Sequence, residues 1–256
     1  MGVVNITPDS FSDGGCFFDR QAAVAHALRL IEDGADIVDI GGESSRPGAL
    51  PVSVNEELAR VLPVLEGLKG LKKPISVDTR RPEVMQEVLK AGASMINDIE
   101  ALQAPGAPEA VAASGCAVCL MHKMGEPATM QQDPHYDDVV AEVLLFLKNR
   151  IEKAVQASIT RERIVVDPGF GFGKTLDHNL ALLKELNRFK ELGVPLLAGW
   201  SRKSSLGKIT GRPPDERLPA SLAMALLSLQ AGATILRVHD VRETKDVIAV
   251  WQAYNQ

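Results

Sequence analysis

The 256-residue sequence lacks an excess of basic residues and any long apolar run. Its formal net charge of -5 argues against a nonspecific nucleic-acid binder, which needs a basic surface to displace counterions from phosphates. No apolar run approaches the roughly 18 residues that would suggest a membrane span, and no charged-then-apolar leader precedes the first strand-like run. We therefore expect a soluble, cytoplasmic protein.

Cysteine is also scarce. Three cysteines, an odd number, argue against a disulfide framework. Cys116 and Cys119 form a CxxC pair, but a redox pair usually lies at a helix N-terminus, where the thiol pKa is depressed. This pair lies within the apolar run CAVCLM, which is typical of a buried strand, so we expect both thiols to pack in the core. No HExxH or paired-histidine spacing indicates zinc.

Short apolar runs alternate with segments of helical periodicity along the whole chain. The eight runs are VVNIT, IVDIG, PISVD, MINDI, AVCLM, IVVDP, PLLAG and ILRVH. Parallel strands need helical crossovers and are buried on both faces, so the alternation predicts an all-parallel sheet with helices outside. Eight units predict an α/β fold, one (β/α)8 TIM barrel spanning 1–256. An open doubly wound sheet is the alternative, but it would not spread polar residues over every strand end.

Local signals also predict where helices lie and end. Helical periodicity covers 136–156 and 177–192. Five glycines stand just before strand-like runs, and glycine is favoured there because a helix C-cap adopts a left-handed conformation. These glycines are Gly34, Gly92, Gly115, Gly193 and Gly232.

Every apolar run ends at a polar or charged residue. A barrel aims the C-terminal ends of its strands at one mouth, so residues far apart in sequence converge on one ligand there. The long segments PDSFSDGGCFF and GESSRPGALPVS, after the first two runs, are candidates for lids over this mouth. The residues at the run ends are Asn5, Gly41 to Arg46, Asp78, Asn97, His122, Asp167, Lys203 and Arg237 to His239.

Two potential cations at the end of the last run indicate an anion site. Arg237 and His239 alternate along one strand and so can face the same side, which suits an anionic ligand group at the rim. Arg46 and Asn5 on neighbouring strands add to this site. Arg202, in contrast, could be a solvated cap after its strand.

Carboxylates and amides at other run ends indicate recognition of a flat ring. Asp167 precedes PGFGFGK, which is not a Walker loop because Pro168 stands where that pattern needs glycine. We read Asp167 as a carboxylate that accepts two hydrogen bonds from an N–H-rich ring. Asp78 and Asn97 could serve acid–base chemistry or bind a heterocycle edge, and binding is favoured. Asp98 is predicted to be a helix N-cap.

Two further side chains complete this set. Lys203 is taken as functional, since it follows an apolar run in SRKSS. His122 could equally line the mouth or cap a helix.

Seven segments resemble, in order, the motif set of the dihydropteroate synthases. They are NITPDSFSDGG, GGESSRPGA, SVDT, INDI, DPGFGFGK, SRKS and RVHDV, and together they span essentially the whole chain. The resemblance implies condensation of 6-hydroxymethyl-7,8-dihydropterin pyrophosphate with p-aminobenzoate, giving 7,8-dihydropteroate and pyrophosphate, with Mg²⁺ assisting. It also implies a homodimer formed through outer helices.

The resemblance assigns a role to each matching position. The implied pterin-binding residues are Asp78, Asn97, Asp167 and Lys203. Those implied for pyrophosphate are Asn5, Arg46, Arg237 and His239, with Asn5 also a metal ligand. Those implied for p-aminobenzoate are Phe11, Ser45, Pro47, Phe172, Lys203 and Ser204. The catalytic set is Asp78, Lys203, Arg237 and His239. Ser45 stands where the family commonly has Thr, so it loses a methyl contact in the aminobenzoate pocket.

Two other functions remain open from the sequence. A methyltetrahydrofolate-dependent corrinoid methyltransferase would use a related pterin-binding barrel but would have little use for the anion site. A non-catalytic pterin-binding barrel would lack part of the motif set.

Overall fold

A computed structural model describes residues 1–6, 15–44, 50–126 and 129–256, with only the backbone described for 15–19. Within these ranges the chain forms eight short strands, each followed by helical structure where the chain is described. The strands are β1 (Gly2–Asn5), β2 (Val38–Gly41), β3 (Ile75–Asp78), β4 (Met95–Asp98), β5 (Ala117–Met121), β6 (Ile164–Asp167), β7 (Leu197–Ala198) and β8 (Ile235–Leu236).

The strands close into a parallel barrel. β1 to β6 pair in sequence order as one sheet, and β7 pairs with β8. Two isolated parallel bridges join these sheets, Val166 with Leu196 and Gly2 with Val238. Across the second bridge, Val3 N donates to Val238 O at 3.1 Å. The order β1 to β8 therefore runs around a complete ring, and the predicted (β/α)8 barrel is confirmed.

Helices surround this ring. The described α-helices are α1 (Gly15–Glu32), α2 (Val54–Gly67), α3 (Pro82–Lys90), α4 (Ala107–Ser114), α5 (Val139–Gln156), α6 (Leu176–Lys184), α7 (Ser204–Thr210), α8 (Leu218–Gln230) and α9 (Val241–Tyr254). Short 3₁₀ turns cover Arg161–Arg163, Leu186–Leu192 and Pro214–Glu216. In the described part of the chain, no helix combines the length and apolarity that crossing a membrane requires.

Two predicted helix ranges need correction. The range 136–156 begins at Val139, because Asp138 caps the helix by accepting from Val140 N and Ala141 N. The range 177–192 divides into α6 and the 3₁₀ turn that follows it. In that turn the buried side chains are Leu186, Phe189 and Leu192, whose spacing of three suits the three-residue repeat of a 3₁₀ helix.

The five helix-ending glycines were predicted correctly. Each has a positive φ: 100° at Gly34, 109° at Gly92, 76° at Gly115, 67° at Gly193 and 103° at Gly232. A residue with a Cβ is strained at positive φ. Glycine is not, so it allows the chain to leave each helix and enter the next strand.

Apolar side chains fill two layers. The larger core lies between strands and helices and includes Val38, Ile40 and Val77 from the outer faces of the strands. A smaller cluster of Met95, Cys119, Val165 and Leu197 lies apart from it. Its residues alternate with the outward-facing strand residues, so it fills the inside of the barrel. Cys116 and Cys119 are both buried free thiols, as expected.

The strand register aligns the first candidate site residues. Asn5 pairs with Gly41, Gly41 with Asp78, and Asp78 with Asn97. Side chains at paired positions of neighbouring parallel strands point to the same side of the sheet, so Asn5, Asp78 and Asn97 all face the inside of the barrel.

Candidate active site

A cavity of about 600 Å³ opens at the C-terminal ends of the strands. Six of the predicted site residues line it, and they come from the ends of β1, β7 and β8 and from the segment after β6. The full lining is Asn5, Ser44, Met130, Gly171, Phe172, Gly199, Ser201, Arg202, Lys203, Ser204, Pro214, Asp215, Arg217, Arg237 and His239.

Arg237 reaches from the end of β8 to two carboxylates. Its Nε donates to Asp39 Oδ2 at 2.7 Å, and its Nη2 donates to Asp78 Oδ2 at 2.9 Å. Burial lowers the pKa of Arg237, but Asp39 and Asp78 more than offset this and raise it above its usual value. Burial raises the pKa of Asp78 to about 7, with Arg237 opposing the shift. The guanidinium is thus fixed in place and stays charged.

Asn97 lies deeper, at the end of β4, and is almost fully buried. Its Nδ2 donates to Asp39 Oδ2 at 3.1 Å. An Asn side chain has one carbonyl oxygen and two N–H donors, so this bond sets the orientation of the amide. The same Asp39 oxygen therefore contacts both Asn97 and Arg237.

Asp167 ends β6 as a buried carboxylate whose Oδ1 accepts from Gly169 N at 2.7 Å. Burial raises the pKa of Asp167, while the charge of Lys203 opposes the rise. Gly169 has φ 70°, and a Cβ there would lie 1.9 Å from His122 O. Only glycine allows the chain to pass this close to His122, which follows β5.

Lys203 follows β7 and is held by the segment after β6. Its Nζ donates to Phe170 O and lies 4.7 Å from the centre of the Phe172 ring. Burial lowers the pKa of Lys203 to about 8, and Asp167 opposes the fall. Lys203 lines the cavity. Because its pKa stays above 7, its amine is mostly protonated at neutral pH and can donate hydrogen bonds.

His239 and Ser204 complete the described rim. His239 Nδ1 shares a hydrogen bond of 3.0 Å with Ser201 Oγ, and its backbone N donates to the same oxygen at 3.2 Å. Ser204 is the first residue of α7, where unpaired backbone N–H groups favour an anion.

A buried lysine supports the segment between β6 and α6. Lys174 Nζ contacts His122 Nδ1 at 2.9 Å and donates to Gly169 O and Phe172 O, both at 3.0 Å. Burial lowers the pKa of Lys174 to about 7, with Asp167 opposing the fall. Burial and the charge of Lys174 lower the pKa of His122 to about 2, so the imidazole is neutral.

Residues 1–239 match the family model described as pterin binding enzyme. The dihydropteroate synthase of Escherichia coli (strain K12) is 52% identical over 254 residues, covering 99% of this chain and 90% of the relative. The chain belongs to the dihydropteroate synthase family of pterin-binding enzymes.

Solved structures of this family have the same fold. The dihydropteroate synthase of Xanthomonas albilineans with 4-aminobenzoic acid superposes with a TM-score of 0.94 at 55% identity, covering 99% of this chain and 92% of that chain. Its complex with 7,8-dihydropteroate superposes with a TM-score of 0.90 at 52% identity, with the same coverage. Among the three functions left open by the sequence, these names favour the synthase.

The structure brings most of the predicted dihydropteroate synthase residues to one place. Asn5, Phe172, Lys203, Ser204, Arg237 and His239 line the cavity. Asp78 contacts Arg237, Asn97 shares Asp39 with it, and the charge of Asp167 acts on Lys203. Phe11, Ser45, Arg46 and Pro47 lie outside the described residues, as do 8–14 and 45–49 of the two segments expected to be lids.

Two predictions on neighbouring residues were inaccurate. Asp98 caps no helix: its oxygens accept from Glu100 N at 2.8 Å and Leu102 N at 2.7 Å, and α4 begins only at Ala107. His122 neither lines the cavity nor caps a helix, because its ring is buried against Lys174 and the edge of Phe146.

Asn5 fits a role in holding Mg²⁺. Among the described side chains, no group of three or more His, Cys, Asp or Glu could hold a metal by itself. Mg²⁺ often keeps several waters and binds through substrate phosphates, so it needs few protein ligands. The amide oxygen of Asn5, a hard donor at a cavity that also presents Arg237 and His239, suits an ion carried with a phosphorylated ligand.

The sequence reasoning missed Asp39, Ser201 and Lys174. Asp39 interrupts the apolar run IVDIG, and a carboxylate inside a buried strand is a signal that could have found it. Lys174 ends the motif DPGFGFGK, but nothing local distinguishes a buried lysine from an exposed one.

Proposed function

We propose that this dihydropteroate synthase condenses 6-hydroxymethyl-7,8-dihydropterin pyrophosphate with p-aminobenzoate, giving 7,8-dihydropteroate and pyrophosphate. The observation that carries the proposal is the contact between Arg237 and Asp78. This contact joins the Arg237 guanidinium at the cavity wall to the carboxylate of Asp78, which lies close to the Asn97 amide. One substrate can therefore place its pyrophosphate against Arg237 and its pterin ring against Asp78 and Asn97.

The pterin ring is assigned to Asp78, Asn97, Asp167 and Lys203. A pterin edge presents several N–H donors, which the two carboxylates and the Asn97 carbonyl can accept. Lys203 supplies a donor for a ring acceptor. Burial of Asn97 and Asp167 supports this assignment, because a polar group removed from water strengthens binding when the ligand completes its hydrogen bonds.

The pyrophosphate is assigned to Asn5, Arg46, Arg237 and His239. Arg237 is held by Asp39 and Asp78 through Nε and Nη2, which leaves the N–H groups of Nη1 for a phosphate oxygen. Mg²⁺ held by Asn5 would neutralise charge on the phosphate groups when bound.

The p-aminobenzoate is assigned to Phe11, Ser45, Pro47, Phe172, Lys203 and Ser204. Phe172 offers an aromatic face beside the Lys203 amine. Ser204, at the start of α7, suits the carboxylate of this substrate because helix N-termini favour anions.

The reaction follows from these positions. The bond between the pterin methylene carbon and the pyrophosphate oxygen breaks, and pyrophosphate leaves with the electron pair. The positive charge left on the pterin is delocalised over its ring, and the amine lone pair of p-aminobenzoate then forms the new C–N bond. The amine nitrogen releases its extra proton to solvent. Preorganised N–H groups of the Arg237 guanidinium and the His239 ring stabilise the departing anion, which lowers the barrier.

Lys203 acts as a hydrogen-bond donor in this scheme and forms no covalent intermediate. Borohydride reduction in the presence of the pterin substrate is therefore expected to trap no adduct on Lys203.

A homodimer is part of the proposal. The outer faces of α8 and α9 expose apolar side chains at Leu227, Val250 and Tyr254, with 47%, 69% and 82% of their surface accessible. The two helices pack against each other and each exposes apolar side chains, which suits contact with a symmetric partner. Light scattering should give twice the 27.5 kDa of one chain. A cytoplasmic location remains a prediction, to be tested by cell fractionation.

One assay tests the proposed reaction. Release of pyrophosphate from the pterin substrate is measured with and without p-aminobenzoate and with and without Mg²⁺. Release that requires the aromatic amine and is stimulated by Mg²⁺ supports the synthase. A methyl transfer from methyltetrahydrofolate without pyrophosphate release, or pterin binding without turnover, would replace it with one of the two alternatives.

A further inference from the structure

We propose that Asp39 is a positioning residue that orients Arg237 and Asn97 together and so couples the pyrophosphate and pterin subsites. The coupling of those two subsites rests on the function proposed above.

Asp39 lies in the middle of β2, one layer below the residues that form the cavity. Its Cα partners are Val3 of β1 and Ser76 of β3, whereas the cavity-level residues Asn5 and Asp78 lie two positions further along those strands. Asp39 is completely buried and does not line the cavity. It can act on a ligand in the cavity only through other side chains.

One oxygen of Asp39 makes both contacts. Oδ2 accepts from Arg237 Nε at 2.7 Å and from Asn97 Nδ2 at 3.1 Å. These donors come from the residue after β8 and from β4, on different sides of the barrel. A shift of this one atom therefore moves the groups assigned to the anion and to the ring.

The contact with Asn97 decides what the amide offers the ligand. With Nδ2 directed to Asp39, the carbonyl oxygen of Asn97 points elsewhere and is available as an acceptor. Without the carboxylate, the amide could rotate and exchange acceptor for donor, which would place a donor against a ring N–H.

The contact with Arg237 aims the guanidinium. Asp39 and Asp78 hold Nε and Nη2, so two carboxylates fix the plane and the direction of the remaining donors. Asp78 by itself would leave the side chain free to rotate about a single contact.

The bonding of Asp39 differs from that of a structural aspartate. Among the described residues its hydrogen bonds go only to Arg237 and Asn97, and Oδ1 is buried without a partner. Asp98 follows Asn97 as the last residue of β4, and both of its carboxylate oxygens accept from backbone N–H groups of the next turn. Asp39 therefore stabilises two site residues, and Asp98 stabilises the chain.

The test is Asp39→Asn in the 256-residue chain, with Asp98→Asn as the matched control. Both changes are isosteric replacements of a buried carboxyl group by an amide. For Asp39→Asn we expect kcat/KM for the pterin substrate to fall roughly 10- to 100-fold, with KM for p-aminobenzoate changed less than about threefold. For Asp98→Asn we expect a lower Tm with both kinetic constants near wild type.

A double-variant cycle with Arg237→Lys tests whether Asp39 acts through Arg237. The combined loss should be clearly smaller than the product of the single losses, since removing either partner already disrupts the same contact. Calorimetric binding of inorganic pyrophosphate should weaken in Asp39→Asn and not in Asp98→Asn, whether or not turnover is observed.

Wild-type kinetics separate the two proposals. A wild-type enzyme that fails to release pyrophosphate overturns the proposed function, and the binding measurement then still decides the role of Asp39. A wild-type enzyme that turns over while Asp39→Asn keeps its kcat/KM and pyrophosphate affinity overturns the positioning role alone. Two further results would overturn the positioning role. One is a double variant whose loss of kcat/KM equals the product of the two single losses, and the other is an Asp39→Asn variant that loses equally toward the pterin substrate and p-aminobenzoate.

Discussion

Two charged side chains of the site, Asp78 and Lys203, lie where burial and a neighbouring opposite charge act against each other. Burial raises the pKa of Asp78 while Arg237 opposes the rise, and burial lowers the pKa of Lys203 while Asp167 opposes the fall. These groups therefore titrate close to neutral pH, where unperturbed aspartate and lysine do not.

The activity should consequently depend on pH in a bell-shaped manner. Ionised Asp78 is needed to accept from the pterin, so kcat/KM should rise as pH increases through about 7. Protonated Lys203 is needed to donate, so kcat/KM should fall as pH increases through about 8. Lys203→Arg keeps its charge, and we expect its residual activity to lose the alkaline decline. An unchanged decline in that variant would assign it to another group.

His239→Ala should chiefly weaken binding of the pyrophosphate substrate. Loss of one charged hydrogen bond costs about 1.5 to 3 kcal/mol, or roughly 10- to 150-fold in affinity. Inhibition by inorganic pyrophosphate measures the effect directly. His135→Ala is the control, because His135 has a highly exposed side chain and does not line the cavity. Full pyrophosphate affinity in His239→Ala would place the anion elsewhere.

The segment between β6 and α6 is the element that supports the site. Gly169, Gly171 and Gly173 have φ values of 70°, 81° and 62°, which turn its backbone back on itself. The carbonyl oxygens of Gly169 and Phe172 accept from Lys174 Nζ, and that of Phe170 accepts from Lys203 Nζ. The segment thus links a buried lysine to a lysine of the cavity.

Lys174→Met should loosen this segment. The change leaves Phe172 O and the buried Nδ1 of His122 without the lysine donor, whereas Gly169 O still accepts from Phe172 N. Each unsatisfied group costs about 1 to 3 kcal/mol. We expect the free energy of unfolding in urea to fall by about 2 to 4 kcal/mol and kcat/KM to fall as Lys203 loses its support. Lys184→Met, an exposed change in the last turn of α6, should do neither. Equal stability of the two variants would contradict this role of Lys174.

Closure of the barrel is what assembles the site at the scale of the molecule. Asp39 and Arg237 are 198 positions apart in the sequence, yet they lie in direct contact. The bridge between Gly2 and Val238 brings the first and last strands together, and with them Asn5 and Arg237. Loss of this closure would separate the anion-binding groups.

Unfolding should therefore be one cooperative transition, as the expected single domain requires. Fluorescence of Trp200, which is buried against Phe170, reports the barrel mouth, while far-ultraviolet circular dichroism reports all helices. The two curves should coincide in urea. Transitions at separate urea concentrations would divide the chain into independently stable parts.

Local sequence was sufficient to predict most elements. The strands, their order and the helix-ending glycines follow from apolar periodicity and backbone sterics, which act over a few residues. The start of α5 was predicted three residues early at Tyr136, whose hydroxyl instead donates to Gly173 O at 2.8 Å. That contact joins residues 37 positions apart, so the local apolar periodicity of the sequence does not reveal it.

The sequence by itself determined the barrel and the polar residues at its strand ends, because strand direction and alternation are local properties of the chain. Only the tertiary structure decided which of those residues meet. Asp39 and Lys174 resemble ordinary charged residues in the sequence and become supports of the site only when closure surrounds them with Arg237, Asn97 and His122. The physical reason is that burial and partner charge depend on the whole fold, and these two quantities decide what a charged side chain does.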